Sequence, residues 1–123
     1  MGLVGLAGVE VVDVDDTSIR LRLPVTVRLM APNGYLHAAA IVALADTACG
    51  FGCLLGLPEG SPGFTTIELK TNFLGTAHVG TLDCEARRVH GGRTTEVWDA
   101  AVTGPEGRTI ALFRCTQLIL TAR

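Results

Sequence analysis

The stretch GYLHAAAIVALADTACGFG, residues 34–52, constrains the fold of this chain more than any other segment. It is rich in alanine, contains no proline and holds glycine only at its two ends. This composition favours one long α-helix from His37 to about Leu55. Because small side chains occur on more than one side of this helix, other backbone segments can approach it closely. We therefore expect a curved sheet wrapped around the helix.

Six other segments alternate apolar and polar residues in the way that predicts β-strands: 9–14, 18–28, 65–74, 80–89, 94–103 and 109–120. The sequence HGGR at 90–93 predicts a hairpin, and GPEG at 104–107 predicts a turn. One face of segment 65–74 is expected to carry Ile67, Leu69, Thr71 and Phe73, and the other Glu68, Lys70 and Asn72. The order ββαββββ predicts an α+β fold with a mostly antiparallel sheet, in one domain over residues 1–123.

The composition limits how a monomer of this size can bury its apolar residues. Hydrophobic residues make up 48% of the chain and charged residues only 18%, and small domains bury a smaller share of their surface than large ones. Part of the apolar surface is therefore expected to lie in a subunit interface. The net charge of −2 and the pI of about 5.8 argue against general nucleic-acid binding.

The four cysteines, at positions 49, 53, 84 and 115, fit neither a disulfide framework nor a CxxC zinc pattern. We expect buried, reduced thiols in a cytoplasmic protein. Cys49 and Cys53 are spaced to share a helix face, but no third ligand is evident, so no metal site is expected. The first nine residues lack the basic region of a signal peptide. No uninterrupted apolar run approaches the ~18 residues of a membrane span, so no membrane partner is expected.

Asp46 is the only formally charged residue between Arg28 and Glu59. Because burial of an unpaired carboxylate is unfavourable, it needs a hydrogen-bonding partner or a chemical role. One interpretation is a structural carboxylate bonded to hydroxyls such as that of Thr47. The other involves His37, which lies nine residues earlier, about 13 Å along a helix and half a turn away. These two side chains cannot meet within one chain, so a site that contains both needs two chains.

The start of the helix is a second candidate feature. Its free N–H groups and its dipole favour negative charge, so the N–H of Ala38 or Ala39 could hold a developing oxyanion. A carboxylate opposite such donors is an acyl-transfer arrangement, in which Asp46 attacks a carbonyl carbon or activates water. His37 alone is equally well explained as a helix-start residue that bonds the local backbone.

The motif residues Gly34 and His37-Ala38-Ala39, followed by ALADTA at 43–48, resemble the hotdog-fold acyl-CoA thioesterases of the phenylacetic-acid-degradation type. Further matches are TIELKTNFL at 66–74 and GGRT at 91–94, and the resemblance runs from about residue 6 to residue 120. It implies a sheet wrapped around one long helix, assembly as a homodimer or as a homotetramer of two dimers, and hydrolysis of acyl-CoA or aryl-acyl-CoA thioesters without metal or other cofactor.

The resemblance also assigns roles to single residues. Asp46 matches the catalytic carboxylate, the Ala38 N–H the oxyanion donor of the other protomer, His37 the motif histidine and Gly34 the loop glycine. The family has His-Gly-Gly where this chain has His-Ala-Ala, and alanine keeps the N–H but not the freedom of glycine at positive φ. The candidate substrate-binding residues are Asn33, Tyr35, Asn72, Gly92, Arg93 and Thr94.

Two of these candidates have a more specific expectation. Arg93 follows a Gly-Gly turn, where its guanidinium could bind the phosphates at the nucleotide end of CoA. Tyr35 could line an acyl pocket together with Phe51 and Phe64. The alternatives are a non-catalytic acyl-CoA binding or sensing protein on the same fold, and a hydratase. The Asp-x-x-x-x-His pattern expected of hydratases is absent from the sequence.

Overall fold

The computed structural model describes residues 2–15 and 17–122. It contains a six-stranded sheet in the order β1-β2-β4-β5-β6-β3, in which every neighbouring pair is antiparallel. The strands are β1 (Glu10–Val14), β2 (Ser18–Pro24), β3 (Phe64–Phe73), β4 (Thr81–Gly91), β5 (Thr95–Thr103) and β6 (Thr109–Ile119). The antiparallel sheet is the one that the alternating segments and turns predict.

Helix α2 (Ala38–Leu55) packs against every strand from β2 to β6. Its buried positions recur in adjacent pairs every fourth residue and so form one continuous stripe. These buried residues are Ala40, Ile41, Leu44, Ala45, Ala48, Cys49, Gly52 and Cys53. The flanks of this stripe, which include Asp46, are half-buried. The predicted α+β class and the sheet around one long helix are confirmed.

The helix and the sheet approach each other most closely at Gly52. A β-carbon added to Gly52 would lie 2.2 Å from the Cη2 atom of Trp98 on β5, a distance that no real β-carbon tolerates. A β-carbon added to Gly50 would lie 3.1 Å from the ring of Phe64 at the start of β3. The small residues in the second half of α2 therefore make room for aromatic rings of the sheet.

The second strand is shorter than the sequence predicts. The alternating pattern continues to Arg28, but β2 ends at Pro24 and a 3-10 turn follows over Val27–Leu29. Because proline has no N–H, it cannot continue the hydrogen-bond ladder of the strand. The N–H of Val25 instead donates to the carbonyl of Gly80 at 2.8 Å. This connection redirects the chain toward the loop that precedes α2.

The short helix α1 (Gly2–Ala7) was not expected from the sequence. Two glycines in six residues make this segment a poor helix by intrinsic propensity. None of its residues is buried, yet it packs against α2. The contact with α2, rather than local preference, therefore accounts for its helical conformation.

Within the described residues, α2 is the one helix that is long and apolar enough to cross a membrane by length and composition alone. Asp46 interrupts the apolar run of this segment, so the absence of a long uninterrupted run in the sequence does not conflict with this finding. The core helix of a soluble protein passes the same test, and 44% of this segment is buried inside the fold. The test is therefore weak evidence for membrane insertion.

Strand β3 forms one edge of the sheet and pairs only with β6. Three of its apolar side chains are largely exposed: Ile67 at 55%, Leu69 at 43% and Phe73 at 47%. An edge strand offers unpaired N–H and C=O groups to any strand that approaches it. Together with the exposed apolar side chains, these groups make β3 suited to pairing with another chain.

Candidate active site

Helix α2 begins at Ala38, and His37 caps its first turn. The Nδ1 atom of His37 accepts a hydrogen bond from the N–H of Ala39 at 2.9 Å, which satisfies one of the free donors of the helix start. The Ala38 N–H has no acceptor in the part of the chain that the structure describes. The interpretation of His37 as a residue that bonds the local backbone is confirmed. Of the two predicted oxyanion donors, Ala38 is the one whose N–H stays free.

The loop before α2 holds this helix start in position. Gly34 has a φ of 87°, in the left-handed region that favours glycine. The Oδ1 atom of Asn33 accepts a hydrogen bond from the N–H of Tyr35 at 3.1 Å, and the N–H of Leu36 donates to Oγ1 of Thr76 at 3.0 Å. In this structure, Gly34 and Asn33 shape the turn that leads into the helix.

The two alanines at the helix start fit their backbone without strain. Across residues 2–15 and 17–122, every residue with positive φ is a glycine. Ala38 and Ala39 therefore do not need the conformational freedom of the two glycines that the family motif has at these positions. The exchange of glycine for alanine adds two methyl groups and preserves the N–H of Ala38.

Asp46 lies in the middle of α2, half-buried, on the flank that faces β3. Its Oδ1 atom accepts a hydrogen bond from Oγ1 of Thr66 at 3.1 Å, so the hydroxyl partner is Thr66 and not the expected Thr47. Neither a second donor nor a cationic partner for Asp46 occurs among the described residues. One carboxylate oxygen is thus held in place, and the other, Oδ2, is free.

Thr66 reaches Asp46 because β3 contains a β-bulge. Regular alternation would place Thr66 on the same face as Glu68, away from the helix. The register between β3 and β6 shifts between Thr66 and Glu68, and such a bulge changes the face on which the following residues lie. Thr66 therefore points inward, as does Leu69 beyond the bulge. Sequence reasoning missed Thr66 because nothing in the local pattern marks the extra residue.

Gln117 on β6 lies behind Thr66 and is fully buried. Its Oε1 atom is 2.7 Å from Oγ1 of Thr66, and its Nε2 atom is 3.5 Å from Sγ of Cys115. Gln117 and Glu96 are the buried polar residues of the described chain. Sequence reasoning missed Gln117 as well. The available signal was its position on the inward face of β6, two residues after Cys115, where an apolar residue is usual.

The free N–H of Ala38 and the carboxylate of Asp46 do not form one site within a single chain. The two residues are eight positions apart in the same helix, which corresponds to about 12 Å along the helix axis. A thioester carbonyl bound at Ala38 is therefore out of reach of the Asp46 carboxylate of that chain. The geometry supports the prediction that a complete site needs the start of one helix and the middle of another.

The predicted substrate-binding residues Tyr35 and Asn72 lie on different elements, Tyr35 in the loop before α2 and Asn72 on β3. Tyr35 precedes α2 and is 57% exposed, and its ring centroid is 6.4 Å from that of His78. Asn72 pairs with Leu112 of β6, and both side chains are exposed on the face of the sheet that is turned away from α2. Asn72 therefore cannot contact a substrate that is bound beside Asp46 of the same chain.

The remaining candidates, Gly92, Arg93 and Thr94, form the exposed turn between β4 and β5. The ring of Trp98, near the start of β5, packs against Gly52 in the second half of α2. The turn therefore lies toward the end of α2 and away from the helix start of the same chain. No carboxylate in the described ranges pairs with Arg93.

All four cysteines are free and buried, as predicted. A hydrogen bond with Cys115 and burial raise the pKa of the Cys49 thiol, and burial raises the pKa of Cys53 and of Cys84 to about 12. These thiols are protonated at neutral pH and are poor nucleophiles or metal ligands. The described residues contain no group of three or more side chains that could hold a metal ion.

Comparison with known proteins gives consistent matches along the chain. A family model described as "Thioesterase superfamily" matches residues 33–111. The 1,4-dihydroxy-2-naphthoyl-CoA hydrolase of Listeria monocytogenes is 30% identical over 116 residues, which cover 94% of each chain. The acyl-coenzyme A thioesterase PaaI of Escherichia coli is 28% identical over 87% of this chain and 74% of that protein.

A solved structure supports the same relationship. The crystal structure of a mutant thioesterase from Pseudomonas aeruginosa superposes with a TM-score of 0.93 at 30% identity. The match covers 98% of this chain and 86% of that chain. The predicted hotdog fold and the predicted family resemblance are confirmed.

Proposed function

Because the chain belongs to the thioesterase superfamily, we propose that it hydrolyses acyl-CoA or aryl-acyl-CoA thioesters at sites shared by two protomers. Family membership makes it a thioester hydrolase. The proposed role of Asp46 in this hydrolysis rests on its geometry: it is half-buried, one of its oxygens is held by Thr66 and the other is free. The names of the Listeria and E. coli relatives support a CoA thioester as the substrate.

In the proposed mechanism, the Ala38 N–H of one protomer binds the thioester carbonyl oxygen as negative charge develops on it. The Oδ2 atom of Asp46 in the other protomer takes a proton from water, and the water oxygen bonds to the carbonyl carbon. The C–S bond then breaks, and the CoA sulfur leaves as a thiolate that takes up a proton. Direct attack by Oδ2, followed by hydrolysis of the resulting anhydride, uses the same two groups.

The free edge of the sheet supports assembly into the homodimer that this site needs. Thr66, Leu69 and Phe73 of β3 lie on the side of the sheet that carries α2, and the two apolar side chains are largely exposed in the single chain. A second copy that pairs along β3 would cover them and place a second α2 next to the first. Dimers of this kind, or a homotetramer of two dimers, would also account for the apolar composition.

Mixed dimers test the shared site directly. In Ala38→Pro the oxyanion donor is lost, while proline is well tolerated at the first position of a helix and the preceding residue is already extended. Asp46→Asn removes the base. Each variant alone is expected to lose at least about 100-fold in thiol release from CoA thioesters.

Mixing equal amounts after unfolding and refolding should restore about a quarter of the wild-type activity. The reason is that half of the dimers are mixed and each mixed dimer has one intact site of two. Each variant refolded alone is the control. An inactive mixture with confirmed subunit exchange would contradict a site built from Asp46 of one protomer and Ala38 of the other, as would a stable monomer in sedimentation experiments at micromolar concentration.

We also propose that Arg93 binds the phosphates at the nucleotide end of CoA, because it is exposed in a turn and has no carboxylate partner in the described chain. Arg93→Ala is then expected to raise KM for a full acyl-CoA and largely to spare kcat, since the contact is remote from the reacting bond. The matched substrate is the corresponding acyl-pantetheine, which has no nucleotide and should show no difference. An equal loss on both substrates would assign Arg93 to the fold or to the dimer.

A further inference from the structure

Gln117 is a fully buried amide whose place in the structure is not explained by packing alone. An amide removed from water requires hydrogen-bonding partners. Its partners are Thr66, at 2.7 Å, and Cys115, at 3.5 Å. Thr66 is also the residue that holds Asp46, at 3.1 Å. The carboxyl group, the hydroxyl and the amide therefore form one continuous row of hydrogen-bonding groups.

The number of protons in this row depends on the state of Asp46. The Thr66 hydroxyl has a single proton and faces two groups. When Asp46 is a carboxylate, its Oδ1 atom only accepts, so the hydroxyl proton points to Asp46. The hydroxyl oxygen can then accept a hydrogen bond from Gln117, provided that Nε2 and not Oε1 is turned toward Thr66.

The orientation of the Gln117 amide, with Oε1 2.7 Å from Oγ1 of Thr66, suits a second state of the row, in which Asp46 is protonated. After Oδ2 has taken a proton from water, the proton can exchange between the two oxygens of the carboxyl group. When the proton is on Oδ1, the carboxyl group donates to Thr66 and the hydroxyl donates to Oε1 of Gln117. In this orientation the Nε2 group of Gln117 donates to Sγ of Cys115, at the distance of 3.5 Å found in the structure. Because the two ends of a side-chain amide have nearly the same shape, a half-turn of the amide converts one arrangement into the other.

We propose that Gln117 is a positioning residue that acts on Asp46 through the Thr66 hydroxyl, with its amide turning according to whether Oδ1 of the carboxyl group carries a proton. In both states Oδ1 of Asp46 stays bonded to Thr66, and Oδ2 stays available to the substrate and to water. This inference rests on the proposed catalytic role of Asp46. It assigns no contact between Gln117 and the substrate.

Other ionisable groups also face this row, and the test has to separate them from Asp46. They are Cys49 on α2, Cys115 on β6, and Glu96 on β5, which lies opposite Gln117 and is paired with Arg88 on β4. The substitution Asp46→Asn leaves all of them in place. A pH-dependent signal that is lost in this variant therefore belongs to Asp46.

The sequence makes a direct measurement possible, because Gln117 is the only glutamine in the chain. Glutamine labelled with 15N in its side chain therefore gives one amide proton pair in the NMR spectrum of this 123-residue chain. In the wild type, this pair is expected to shift over the same pH range in which kcat changes. In Asp46→Asn the shift should be absent. A pair that does not respond to pH in the wild type, or that responds equally in both proteins, would overturn the proposal.

A double-mutant cycle provides the kinetic test. Gln117→Met should lower kcat by roughly 3- to 10-fold, the factor that one neutral hydrogen bond contributes, with little change in KM. In a Thr66→Val background it should cause no further loss, since the connection to Asp46 is already broken. An equal loss in both backgrounds would overturn the proposal.

The controls separate this inference from the proposed function. Leu82→Met, a substitution of a fully buried residue on β4, should keep wild-type kcat. Thermal unfolding shows whether each variant is folded, and the NMR measurement needs no substitution of Gln117. Retained turnover in Asp46→Asn would refute the catalytic role of Asp46. Loss of turnover in Asp46→Asn, together with equal losses from Gln117→Met in both backgrounds, would refute only the role of Gln117.

Discussion

Asp46 and Glu96 are two carboxylates that the fold withdraws from water in different ways. Glu96 on β5 is buried, accepts a hydrogen bond from Nε1 of Trp98 at 2.9 Å and pairs with Arg88 at 3.5 Å. Asp46 on α2 is half-buried, and its single donor in the described chain is the neutral hydroxyl of Thr66. Both oxygens of Glu96 are therefore engaged, whereas Asp46 keeps one oxygen without a partner.

The difference between the two residues separates a structural carboxylate from a chemical one. A carboxylate whose two oxygens are both paired cannot accept a further proton or attack a substrate without first breaking these contacts. A carboxylate with one oxygen held and one free is oriented and still available for proton transfer. Burial alone does not identify the carboxylate that is available for chemistry, because Glu96 is the more deeply buried of the two. The hydrogen-bonding partners of the carboxylate oxygens identify it.

The largest expected effect is on turnover in Asp46→Asn. Loss of a positioned general base should lower kcat by roughly 10²–10⁴-fold. The fold should persist, since asparagine has nearly the same volume and its carbonyl oxygen can still accept from Thr66. Thiol release from a CoA thioester and thermal unfolding measure the two properties. An unchanged kcat would place Asp46 in the same structural class as Glu96.

The reverse pattern is expected for Glu96→Gln, the matched substitution at the other carboxylate. Stability should fall by about 1–2 kcal/mol, because Trp98 and Arg88 lose a charged acceptor. The ion pair contributes little to this loss, because the Arg88 side chain is 54% exposed and its charge is screened by solvent. The kcat value should stay close to that of the wild type. Denaturant unfolding measures the stability, and the thioesterase assay measures kcat. A large loss of kcat without loss of stability would show that Glu96 is not a purely structural carboxylate.

A smaller effect, on stability, is expected at alkaline pH. It depends on two buried thiols, Cys49 near Asp46 and Cys53 near Glu96. Burial, followed by the charge of Glu96, raises the pKa of Cys53 to about 12, and a hydrogen bond with Cys115 together with burial raises that of Cys49. Both folded-state values lie above the ordinary thiol value of 9.0. The stability that comes from keeping these thiols protonated is therefore fully present below about pH 9 and is lost as the pH rises toward the folded-state values.

Denaturant unfolding at a series of pH values checks this expectation. The free energy of unfolding should decrease above about pH 9. The decrease should be smaller in Glu96→Gln, because removal of the nearby negative charge lowers the pKa of Cys53 in the folded state. A decrease of the same size in the wild type and in Glu96→Gln would show that Glu96 does not act on Cys53.

Much of the architecture was predictable because its causes are local. An alanine-rich segment without proline predicts α2, and alternating segments separated by turns predict the antiparallel sheet. The glycines of α2 predict close approach of the sheet, which Gly52 and Trp98 show most clearly. Pro24 in the sequence indicates the early end of β2, but the alternating pattern continues to Arg28 and predicts a longer strand.

The candidate site was predictable only in part. Asp46 stands out as the lone charge of an apolar segment, and the capping role of His37 follows from its place at the helix start. Asn72 looked like a substrate contact because it belongs to a matching motif, yet its side chain lies on the outer face of the sheet. A motif gives the position of a residue along the chain, whereas strand pairing decides the face on which it lies.

The long apolar helix, the strands around it and the single carboxylate in the middle of that helix can be predicted from the sequence, since periodicity, composition and charge are properties of neighbouring residues. The surroundings of the carboxylate depend on how distant segments pack together. A β-bulge turns Thr66 toward Asp46 from 20 positions away, and the pairing of β3 with β6 brings Gln117 to Thr66 from 51 positions away. Contacts over such distances depend on register, and register is set by the packing of the whole sheet against the helix.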